Sequence, residues 1–339
     1  MVTTAEPMLS YPLTGFALTL ILTPLAIKYA KHQNLLDYPG QRRSHQQIIP
    51  RGGGVAAVIV LLALCGLLIY QQLIPLTVGL GFTQAVLLLG MVGFLDDHTQ
   101  LSNRYRLLAQ ALACGLAIYL FWPLSLSEWQ YWLWVPAFLA MIWLTNLYNF
   151  MDGSHGMAAA EGIFAGLLLA WLLLRAGAEE LALLAALLAA VSAGFMPWNF
   201  PKPKVFMGDV LSGVLGVSFA VLLLIAWTNY QINPILLSLV LASFVVDATL
   251  TLMVRIFTGQ QWYTAHKEHV YQQLVSAANG HVGTWFIYQA LNCLIILPAV
   301  WLAETGRISV FWAAVFVYLL FSSGWYAIYR LQVKNKKRQ

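Results

Sequence analysis

Charged residues are scarce in this chain of 339 residues: only 9% are Asp, Glu, Lys or Arg, whereas 60% are hydrophobic. A soluble globular protein carries about 25% charged residues. The shortage excludes a soluble enzyme and a disordered chain, and it argues against a nucleic-acid-binding protein in spite of the formal net charge of +5. The mean hydropathy of +0.73 instead predicts a polytopic membrane protein.

Cysteine is also scarce, and the three cysteines, Cys65, Cys114 and Cys293, lie far apart in apolar runs. Their spacing matches neither a disulfide framework nor a metal site, so we interpret them as buried small side chains. The first ten residues contain no Lys or Arg, which argues against the basic start of a signal peptide. We therefore expect the first apolar run to remain in the mature protein.

Long apolar runs are abundant. A helix that crosses a bilayer needs about 20 mainly apolar residues. Eleven candidate runs cover residues 11–30, 53–70, 75–95, 107–122, 131–148, 157–175, 180–197, 211–228, 234–253, 283–303 and 308–329. The predicted fold is all-α, with one integral membrane domain over residues 1–333 and a basic tail over residues 334–339.

The basic residues are divided unevenly between the two sides of such a bundle. The joints that follow the odd-numbered spans, together with the tail, collect 16 of the 18 Lys and Arg residues. By the positive-inside rule, that side faces the cytoplasm. The prediction is an N-terminus outside the cell and a C-terminus in the cytoplasm. All seven histidines and five of the six aspartates lie on the same side, so we expect the functional site to be formed by the cytoplasmic loops.

The first cytoplasmic joint combines basic residues with a glycine run. Arg42, His45 and Arg51 are its candidate phosphate-binding residues, and residues 52–54 are glycines at the start of the next helix. Backbone N–H groups at a glycine-rich helix start can approach an anion, and arginine donors suit phosphate. A basic anchor for lipid headgroups would use the same residue types, and for Arg43 we favour that interpretation.

Acidic residues mark two further joints. Asp96 and Asp97 are adjacent at the end of the third apolar run. Two carboxylates at a membrane edge require a shared proton or cation, so we favour a functional role. Asp209 follows a glycine at the start of the eighth run. It could cap that helix or hold Mg²⁺, and the residues alone leave both interpretations open.

Amide and ring side chains occur in two joints, the one that contains Asp152 and the one that leads to Asp209. Asn146 and Asn149 share one helix face at the end of the fifth run, and Asp152 and His155 follow in a glycine-flanked turn. A simple turn would explain the glycines and Asp152 but not the pair of asparagines. Asn199 and Phe206 lie in a proline-containing joint, in which the Phe206 ring could stack on a base.

The last long joint contains His266 and His269, which would share one face of a helix. We favour phosphate binding or proton transfer over zinc, because no nearby Cys or acid completes a tetrahedral site. Asp247 lies inside the ninth apolar run, about two turns before Arg255. An acid inside the membrane is a functional candidate, and a structural, hydrogen-bonded role is an equal alternative.

Taken together, these five joints resemble the polyprenyl-phosphate N-acetylhexosamine-1-phosphate transferases. This is glycosyltransferase family 4, which includes the peptidoglycan translocase and the enzymes that initiate O-antigen synthesis. The resemblance extends from Asp37 to Gln272. Its motifs, in order, are Asp37-x-Pro, Pro50-Arg51-Gly-Gly, Asp96-Asp97, Asn149-x-x-Asp152-Gly, Phe206-Met-Gly-Asp209 with Ser212, and His266-x-x-His269-x-Tyr271-Gln272.

The resemblance implies a transferase reaction. Sugar 1-phosphate would pass from a UDP-N-acetyl sugar, an N-acetylhexosamine or its 6-deoxy form, to undecaprenyl phosphate with release of UMP. The product would initiate O-antigen or another cell-envelope polysaccharide at the cytoplasmic face of the bacterial inner membrane. Mg²⁺ is the implied cofactor, with Mn²⁺ as a substitute, and membrane lipids surround the protein. Members of this family often form homodimers, although no feature of this sequence requires one.

The resemblance also implies roles for individual residues. Asp209 would hold Mg²⁺, and Asp96 and Asp97 would lie at the lipid phosphate, with Asp96 as a base or as a positioning group. His266 and His269 would face the pyrophosphate, and with the acid pair they are the candidate catalytic residues. Four residues would line the nucleotide pocket: Asn149, Asp152, Asn199 and Phe206. Direct displacement and an aspartyl-phosphate intermediate both remain open.

Two positions depart from the family pattern. His155 stands where the family usually has Asp, and would alter contacts with uridine. Leu211 stands where the family usually has Gly, near the metal carboxylate. A catalytically inactive scaffold is therefore one alternative. A lipid or solute transporter (a flippase, for example) is another. It should place ionisable residues near the bilayer midplane, where we consider only Asp247, and it should contain repeated halves.

Overall fold

The structure of this protein, a computed structural model, describes residues 5–38, 47–122, 132–261 and 267–336. These ranges are almost entirely helical. The helices are α1 (Ala5–His32), α2 (Val55–Tyr70), α3 (Leu76–Thr99), α4 (Asn103–Phe121), α5 (Trp134–Phe150), α6 (Met157–Arg175), α7 (Glu179–Asn199), α8 (Asp209–Thr228), α9 (Pro234–Phe257), α10 (Val270–Leu274), α11 (Gly280–Glu304) and α12 (Val310–Lys336). Helix α9 contains one 3₁₀ turn, and α11 contains one π turn.

Two short strands interrupt the helical pattern in the described part of the chain. Strand β1 (Leu36–Asp37) pairs antiparallel with β2 (Ile49–Pro50), with Leu36 opposite Pro50. The backbone N–H of Arg51 donates to the carbonyl of Leu35 at 2.9 Å. This small sheet, which the sequence did not predict, holds the chain that leaves α1 beside the chain that enters α2.

Within the described ranges, eight helices are long and apolar enough to cross a membrane: α1, α3, α6, α7, α8, α9, α11 and α12. The prediction of an all-α, polytopic membrane protein is therefore confirmed. The three remaining predicted runs also fall on helices, namely α2, α4 and α5. Helix α2 is apolar but has only 16 residues. The full number of eleven spans remains a prediction, as does the orientation of the termini.

Helix α8 lies at the centre of the bundle, and 89% of its most apolar segment is buried. It packs against α3, α4 and α5. Small residues allow membrane helices to approach closely, and a Cβ atom at Gly216 of α8 would lie only 2.8 Å from the Cα atom of Thr145 in α5. This packing brings the beginning of α8 next to the ends of α3 and α5.

The cysteine prediction is correct for Cys65 and Cys114, which are buried. It is wrong for Cys293, which is exposed. Cys293 lies in the π turn of α11. One additional residue in a helical turn shifts the faces of the helix, and an apolar run does not reveal such a shift.

Candidate active site

Asp97 joins the end of α3 to the beginning of α8. Its side chain is buried, with 4% of its surface exposed. One carboxylate oxygen accepts the backbone N–H of Asp209 at 3.3 Å, and the other accepts that of Val210 at 3.4 Å. The first N–H groups of a helix have no partner within the helix, and a negative charge is favourable there. Asp97 therefore caps α8 and fixes the backbone of Asp209.

Glycines make this junction close. Gly208, with φ at +77°, precedes α8, and a Cβ atom there would overlap the Asp97 carboxylate and lie 2.8 Å from the Cα atom of Gly52. A Cβ atom at Gly93 of α3 would lie against the backbone of Asp209, at 2.6 Å from the Cα atom of Val210. Only residues without a side chain fit where the three segments meet.

Backbone N–H groups of the glycine run after Arg51 are hydrogen-bonded within the protein. Its Gly53 and Gly54 N–H groups donate to the carbonyls of Phe206 and Met207, each at 3.0 Å. We had expected these N–H groups to approach an anion, and for these two glycines that expectation is wrong because the Phe206–Met207 backbone takes their hydrogen bonds. The run instead aligns the segment that carries Phe206 towards Asp209.

Arg106 bridges two acids that lie on different helices. One guanidinium nitrogen donates to the Asp96 carboxylate at 3.2 Å and also to the Asp209 carboxylate. A second nitrogen donates to the side-chain oxygen of Asn103 at 3.1 Å. The Asp96 side chain is 13% exposed, and those of Arg106 and Asp209 are each 29% exposed. The acids thus converge on one cation at a position that remains open to solvent.

Sequence reasoning counted Arg106 only as a charge that sets topology. It lies in the first turn of α4, close to Arg104, and the spacing does not say which of the two arginines turns towards the acids. In the structure Arg104 is exposed and Arg106 is half-buried. Because the inward face of α4 depends on how the whole helix packs, the residues alone could not separate the two.

Arg51 contacts the same junction from the other side. One nitrogen of its guanidinium donates to the backbone carbonyl of Asp97 at 2.6 Å. Arg42 and His45, the other candidate phosphate-binding residues of this joint, lie outside the described residues. The structure thus places one of the three beside the acids, and their binding role stays a prediction.

Asn149 connects α5 to the first turn of α8. Its side-chain amide donates to the hydroxyl of Ser212 at 2.9 Å, and that hydroxyl donates to the carbonyl of Gly208 at 3.0 Å. Leu211, at the departure from the family pattern, is fully buried and packs against Gly54. The glycine run therefore makes room for the larger residue at this position.

Asp152 lies in the turn after α5 and is half-buried. Burial raises the pKa of its carboxyl well above the ordinary value, and the nearby negative charges of Asp209 and Asp97 raise it further. Asp152 therefore belongs to the same acidic cluster, which contains Asp96, Asp97 and Asp209. The sequence placed these four acids on one side of the membrane but did not show that they are neighbours.

Tyr271 holds the Asp152 turn in place. Its hydroxyl donates to the carbonyl of Phe150 at 3.0 Å, and it leaves no room for a side chain at Gly153. Burial raises the pKa of this hydroxyl, with the charges of Asp247 and Asp152 adding to the effect. Tyr271 is therefore a neutral donor that locks the turn.

Asp247 supports the short helix α10 from within α9. Its carboxylate accepts the backbone N–H of Val270 at 2.9 Å, the N–H of Tyr271 at 3.0 Å and the hydroxyl of Tyr288 at 2.6 Å. Of the two interpretations given for Asp247, the arrangement supports the structural, hydrogen-bonded one. It joins α9, α10 and α11.

His269, one of the candidate catalytic residues, begins α10. It is buried, its Nδ1 atom lies 3.6 Å from a carboxylate oxygen of Asp247, and its ring stacks on Tyr271 at 5.8 Å. His266 lies outside the described residues. The predicted action of the two histidines on a pyrophosphate stays a prediction.

His155 and Phe206 lie together, and His281 completes the group. The rings of His155 and His281 stack at 3.6 Å with 8° between their planes, and Phe206 lies 6.2 Å from His155. The Ser154 hydroxyl and the His281 Nδ1 atom are hydrogen-bonded at 3.0 Å. Sequence reasoning placed His281 on the cytoplasmic side but assigned it no role, because it lies 126 residues after His155 in the chain.

Asn199 is buried at the end of α7, with 2% of its surface exposed. Its side-chain oxygen accepts the N–H of Gly156 at 2.7 Å, and its nitrogen donates to the carbonyl of Val205 at 2.9 Å. Both ends of the amide are thus occupied by backbone groups of two loops. This geometry shows a residue that positions the loops of His155 and Phe206, and direct nucleotide binding stays a prediction.

A second acid is buried among the membrane helices. Glu161 of α6 is fully buried, accepting the Asn292 amide at 2.7 Å and the Ser243 hydroxyl at 3.3 Å. Our view of Asp247 as the sole such acid was wrong. The signal was present, since Glu161 is an acidic residue inside the predicted run 157–175, but its position near the start of that run resembled a loop edge.

Asp96, Asp97 and Asp209 meet where the end of α3 lies beside the beginning of α8, and we call this place the acid junction. Its carboxylate oxygens suit a divalent cation. Carboxylates from α3 and α8 already share a cationic group, the guanidinium of Arg106, and hard divalent cations prefer such oxygen ligands. Within the four described ranges, no group of three or more His, Cys, Asp or Glu side chains is arranged to hold a metal. Any cation would therefore need further ligands from a substrate or from water.

Fold and site together define a class: a polytopic helical membrane protein with an acidic cluster where the ends of several helices meet. Residues 79–227 match the model of glycosyl transferase family 4. The family resemblance predicted from the motifs is confirmed for this segment, which matches the model of that family.

Curated relatives extend the likeness to most of the chain. It is 26% identical over 312 residues to a probable undecaprenyl-phosphate N-acetylglucosaminyl 1-phosphate transferase of Bacillus subtilis, covering 88% of this chain and 84% of that protein. It is 25% identical over 333 residues to the undecaprenyl-phosphate alpha-N-acetylglucosaminyl 1-phosphate transferase of Escherichia coli K12, covering 90% and 86%. A decaprenyl-phosphate N-acetylglucosaminephosphotransferase of Mycobacterium leprae is 27% identical over 311 residues, covering 79% and 77%.

Proposed function

We propose that this protein transfers sugar 1-phosphate from a UDP-N-acetylhexosamine, or from its 6-deoxy form, to undecaprenyl phosphate. The products are undecaprenyl-diphosphate-sugar and UMP. The observation that carries the proposal is the convergence of Asp96, Asp97 and Asp209 at the junction of α3 and α8. The names of the relatives support the same reaction class, since each describes a phosphosugar transferase that acts on a polyprenyl phosphate.

In the proposed reaction, an oxygen of the lipid phosphate attacks the β-phosphorus of the UDP-sugar, and the bond from that phosphorus to the bridging oxygen of UMP breaks. Both reactants are anions, so the site must offset their charge. Arg51 and Arg106 supply positive charge at the acid junction. The second pKa of a phosphate monoester is about 6, so the acceptor is already mostly ionised at neutral pH. Asp96 then acts by positioning the lipid phosphate rather than as a strong base.

Mg²⁺ is the proposed cofactor, with Mn²⁺ as a substitute, and Asp209 is the residue proposed to hold it. Mg²⁺ is commonly bound by one or two carboxylates together with substrate phosphates, and Asp209 is a partly exposed carboxylate at the acid junction. When bound, the cation would neutralise charge that develops on the diphosphate. Asp97 contributes by holding the backbone of Asp209 in place.

The nucleotide is proposed to lie on the side of the junction where Phe206 and His155 meet. A half-buried phenyl ring next to an imidazole pair suits a planar base, and Asn149 and Asp152 come shortly before His155 in the chain. Asn199 positions both loops from beneath. His266, His269, Arg42 and His45 are proposed to contact the phosphates.

The proposed location is the cytoplasmic face of the bacterial inner membrane. The support is the charge distribution, with 16 of 18 Lys and Arg residues on the side that carries the acid junction. This places the N-terminus outside and the C-terminus inside the cell. The product would then be available to begin O-antigen or a similar envelope polysaccharide. A homodimer is a further proposal that rests on the family resemblance alone.

The test is release of UMP by the purified protein in detergent with undecaprenyl phosphate. The donors are UDP-GlcNAc, UDP-GalNAc and 6-deoxy UDP-N-acetyl sugars, each with and without Mg²⁺. We expect Mg²⁺-dependent UMP from one donor and none when the lipid phosphate is omitted. UMP release without an acceptor would indicate a hydrolase. Absence of UMP with every donor, in protein that still binds a UDP-sugar, would favour the inactive scaffold.

A further inference from the structure

Arg106 occupies an unusual place for a cation. It lies in the first turn of α4, where the dipole of the helix disfavours positive charge. Two carboxylates offset that cost, because the guanidinium donates to both Asp96 and Asp209. Asn103 fixes the other side of the guanidinium at 3.1 Å. One guanidinium nitrogen thus holds both acids, and the planar group lets a second nitrogen reach Asn103 at the same time.

The acid cluster needs this cation when no metal is bound. Asp96, Asp97, Asp152 and Asp209 are close enough that their negative charges act on one another. The Arg51 guanidinium donates to a backbone carbonyl, whereas Arg106 donates directly to two of the carboxylates. Without Arg106, the Asp96 and Asp209 carboxylates would lose the cation that they share, and their mutual repulsion would favour binding of another cation.

A divalent cation on Asp209 would change this balance. The guanidinium and a metal ion cannot both lie against the same carboxylate oxygen without strong repulsion. The Arg106–Asp209 pair is therefore a competitor for the metal. It is also partly exposed, so it can open without disturbing the buried cap that Asp97 provides.

We propose that Arg106 is an exchangeable counter-ion of the acid cluster: it neutralises Asp96 and Asp209 in the empty enzyme and gives up Asp209 to the divalent cation. Once released from Asp209, its donors would be available to the diphosphate of the sugar donor. The proposal rests on the proposed function in one respect, the assignment of Asp209 as the metal ligand. It makes Arg106 a positioning residue that weakens metal binding until the substrate arrives.

The first test measures Mn²⁺ binding to the full-length protein in detergent without a UDP-sugar, from the electron paramagnetic resonance signal of free Mn²⁺. Loss of the competing ion pair in Arg106→Gln should tighten Mn²⁺ binding by about five-fold, the factor expected for a partly exposed ion pair. Arg106→Lys keeps the charge but loses the planar guanidinium, so its affinity for Mn²⁺ should lie between those of wild type and Arg106→Gln. The control is Arg104→Gln, which removes an exposed arginine from the same turn and should bind like wild type.

Equal or weaker Mn²⁺ binding in Arg106→Gln would overturn the proposal, and so would tight binding that persists when Asp209→Asn is added. If Arg106→Gln did not fold, Arg106→Lys would be compared with wild type instead. Tighter Mn²⁺ binding in Arg106→Lys would support the proposal, and equal or weaker binding would overturn it. A merely structural role for Arg106 would lower the thermal unfolding midpoint without tightening Mn²⁺ binding. Failure of the proposed function is separable, because wild type would then release no UMP although the order of Mn²⁺ affinities held.

A second readout connects the exchange to turnover. Arg106→Gln should reach half-maximal UMP release at a lower Mg²⁺ concentration than wild type, while its maximal rate falls because a cation for the diphosphate is lost. An unchanged Mg²⁺ requirement together with a reduced rate would contradict the exchange, since it would leave Arg106 as a substrate contact only. Arg104→Gln serves again as the matched control.

Discussion

Asp97 and Asp247 use their carboxylates in the same way on two different helices. Asp97 accepts the backbone N–H groups of Asp209 and Val210 at the beginning of α8. Asp247 accepts those of Val270 and Tyr271 at the beginning of α10. In both cases an acid from one membrane helix caps another element across the bundle. The two caps position the acid junction and the histidine-containing segment relative to the same core.

The cap at α8 predicts that Asp97→Asn loses both stability and activity. The amide keeps one acceptor oxygen but turns an N–H group towards a backbone donor, and loss of a helix cap costs about 1 kcal/mol. We expect a lower midpoint of thermal unfolding and a fall in UMP release of about a hundredfold or more, because Asp209 is displaced. A mild effect on turnover would transfer the main role to Asp96.

The matched variant is Asp247→Asn, which weakens the equivalent cap outside the acid junction. It should lower the unfolding midpoint to a similar extent. Its Mg²⁺ concentration for half-maximal UMP release should stay at the wild-type value, whereas that of Asp97→Asn should rise. A shift of the same size in both variants would show that the metal requirement follows general stability.

Asp209→Asn should abolish UMP release and leave the protein folded. The side chain is partly exposed, and the cap of α8 uses the backbone of residue 209 rather than its carboxylate, so stability should change little. A neutral amide is a much poorer ligand for a divalent cation, and we expect a loss of at least about a hundredfold. Glu304→Gln, an acid-to-amide change beside Arg175 and far along the chain, is the control. Near-normal turnover in Asp209→Asn would remove this residue as the metal ligand.

The raised pKa of Asp152 predicts a pH dependence of stability without divalent cations. The folded protein holds the Asp152 proton more tightly than the unfolded chain does, in which the pKa is about 3.9. The proton bound to Asp152 therefore stabilises the folded protein fully at pH values below the unfolded-state pKa. This stabilisation is lost as the pH rises through the folded-state pKa. The apparent unfolding midpoint should therefore fall with rising pH in this window, and Asp152→Asn should reduce the slope. An identical slope in the variant would mean that Asp152 does not titrate with a raised pKa.

His155→Asp tests the departure from the family pattern. If position 155 faces the base, an Asp there should be tolerated, with UMP release within about tenfold of wild type. His281→Ala removes the stacked partner and should raise the KM for the UDP-sugar with little change in the KM for the lipid. His281→Phe keeps a flat ring and should lie closer to wild type. A collapse of activity in His155→Asp would show that the imidazole itself has a role.

Much of the helical fold follows directly from the sequence, because the length of an apolar run limits where a membrane helix can lie. Each predicted run fell on a helix, and the acids at the ends of α3 and α8 were recognised because carboxylates are costly there. Which acids are neighbours was a different question. The grouping of Asp152 with Asp209 depends on helix packing, which a sequence of this composition does not encode locally.

Residues that act through the fold were the ones that sequence reasoning misjudged or missed. Arg106 and Arg104 differ only in the direction in which α4 presents them. For Asn199, sequence reasoning missed the use of its amide by the backbones of two loops, and its predicted place in the nucleotide pocket stays a prediction. Glu161 is held between α6, α9 and α11, and its partners Ser243 and Asn292 are 82 and 131 residues away in the chain. Such pairings are set by tertiary contact rather than by spacing.

The glycine contacts at Gly52, Gly93 and Gly208 divide the protein into a part that can be redesigned and a part that cannot. At each of these three glycines an added carbon atom meets backbone or a carboxylate, so a change there separates the groups on which the proposed chemistry depends. The beginning of α11 is not under this constraint, since the contacts of His281 with Ser154 and His155 are made by side chains. The turn that carries His155 is under it, because Tyr271 fills the space at Gly153. An engineer who wishes to alter donor preference should therefore build libraries at His281 and leave the junction and the turn untouched.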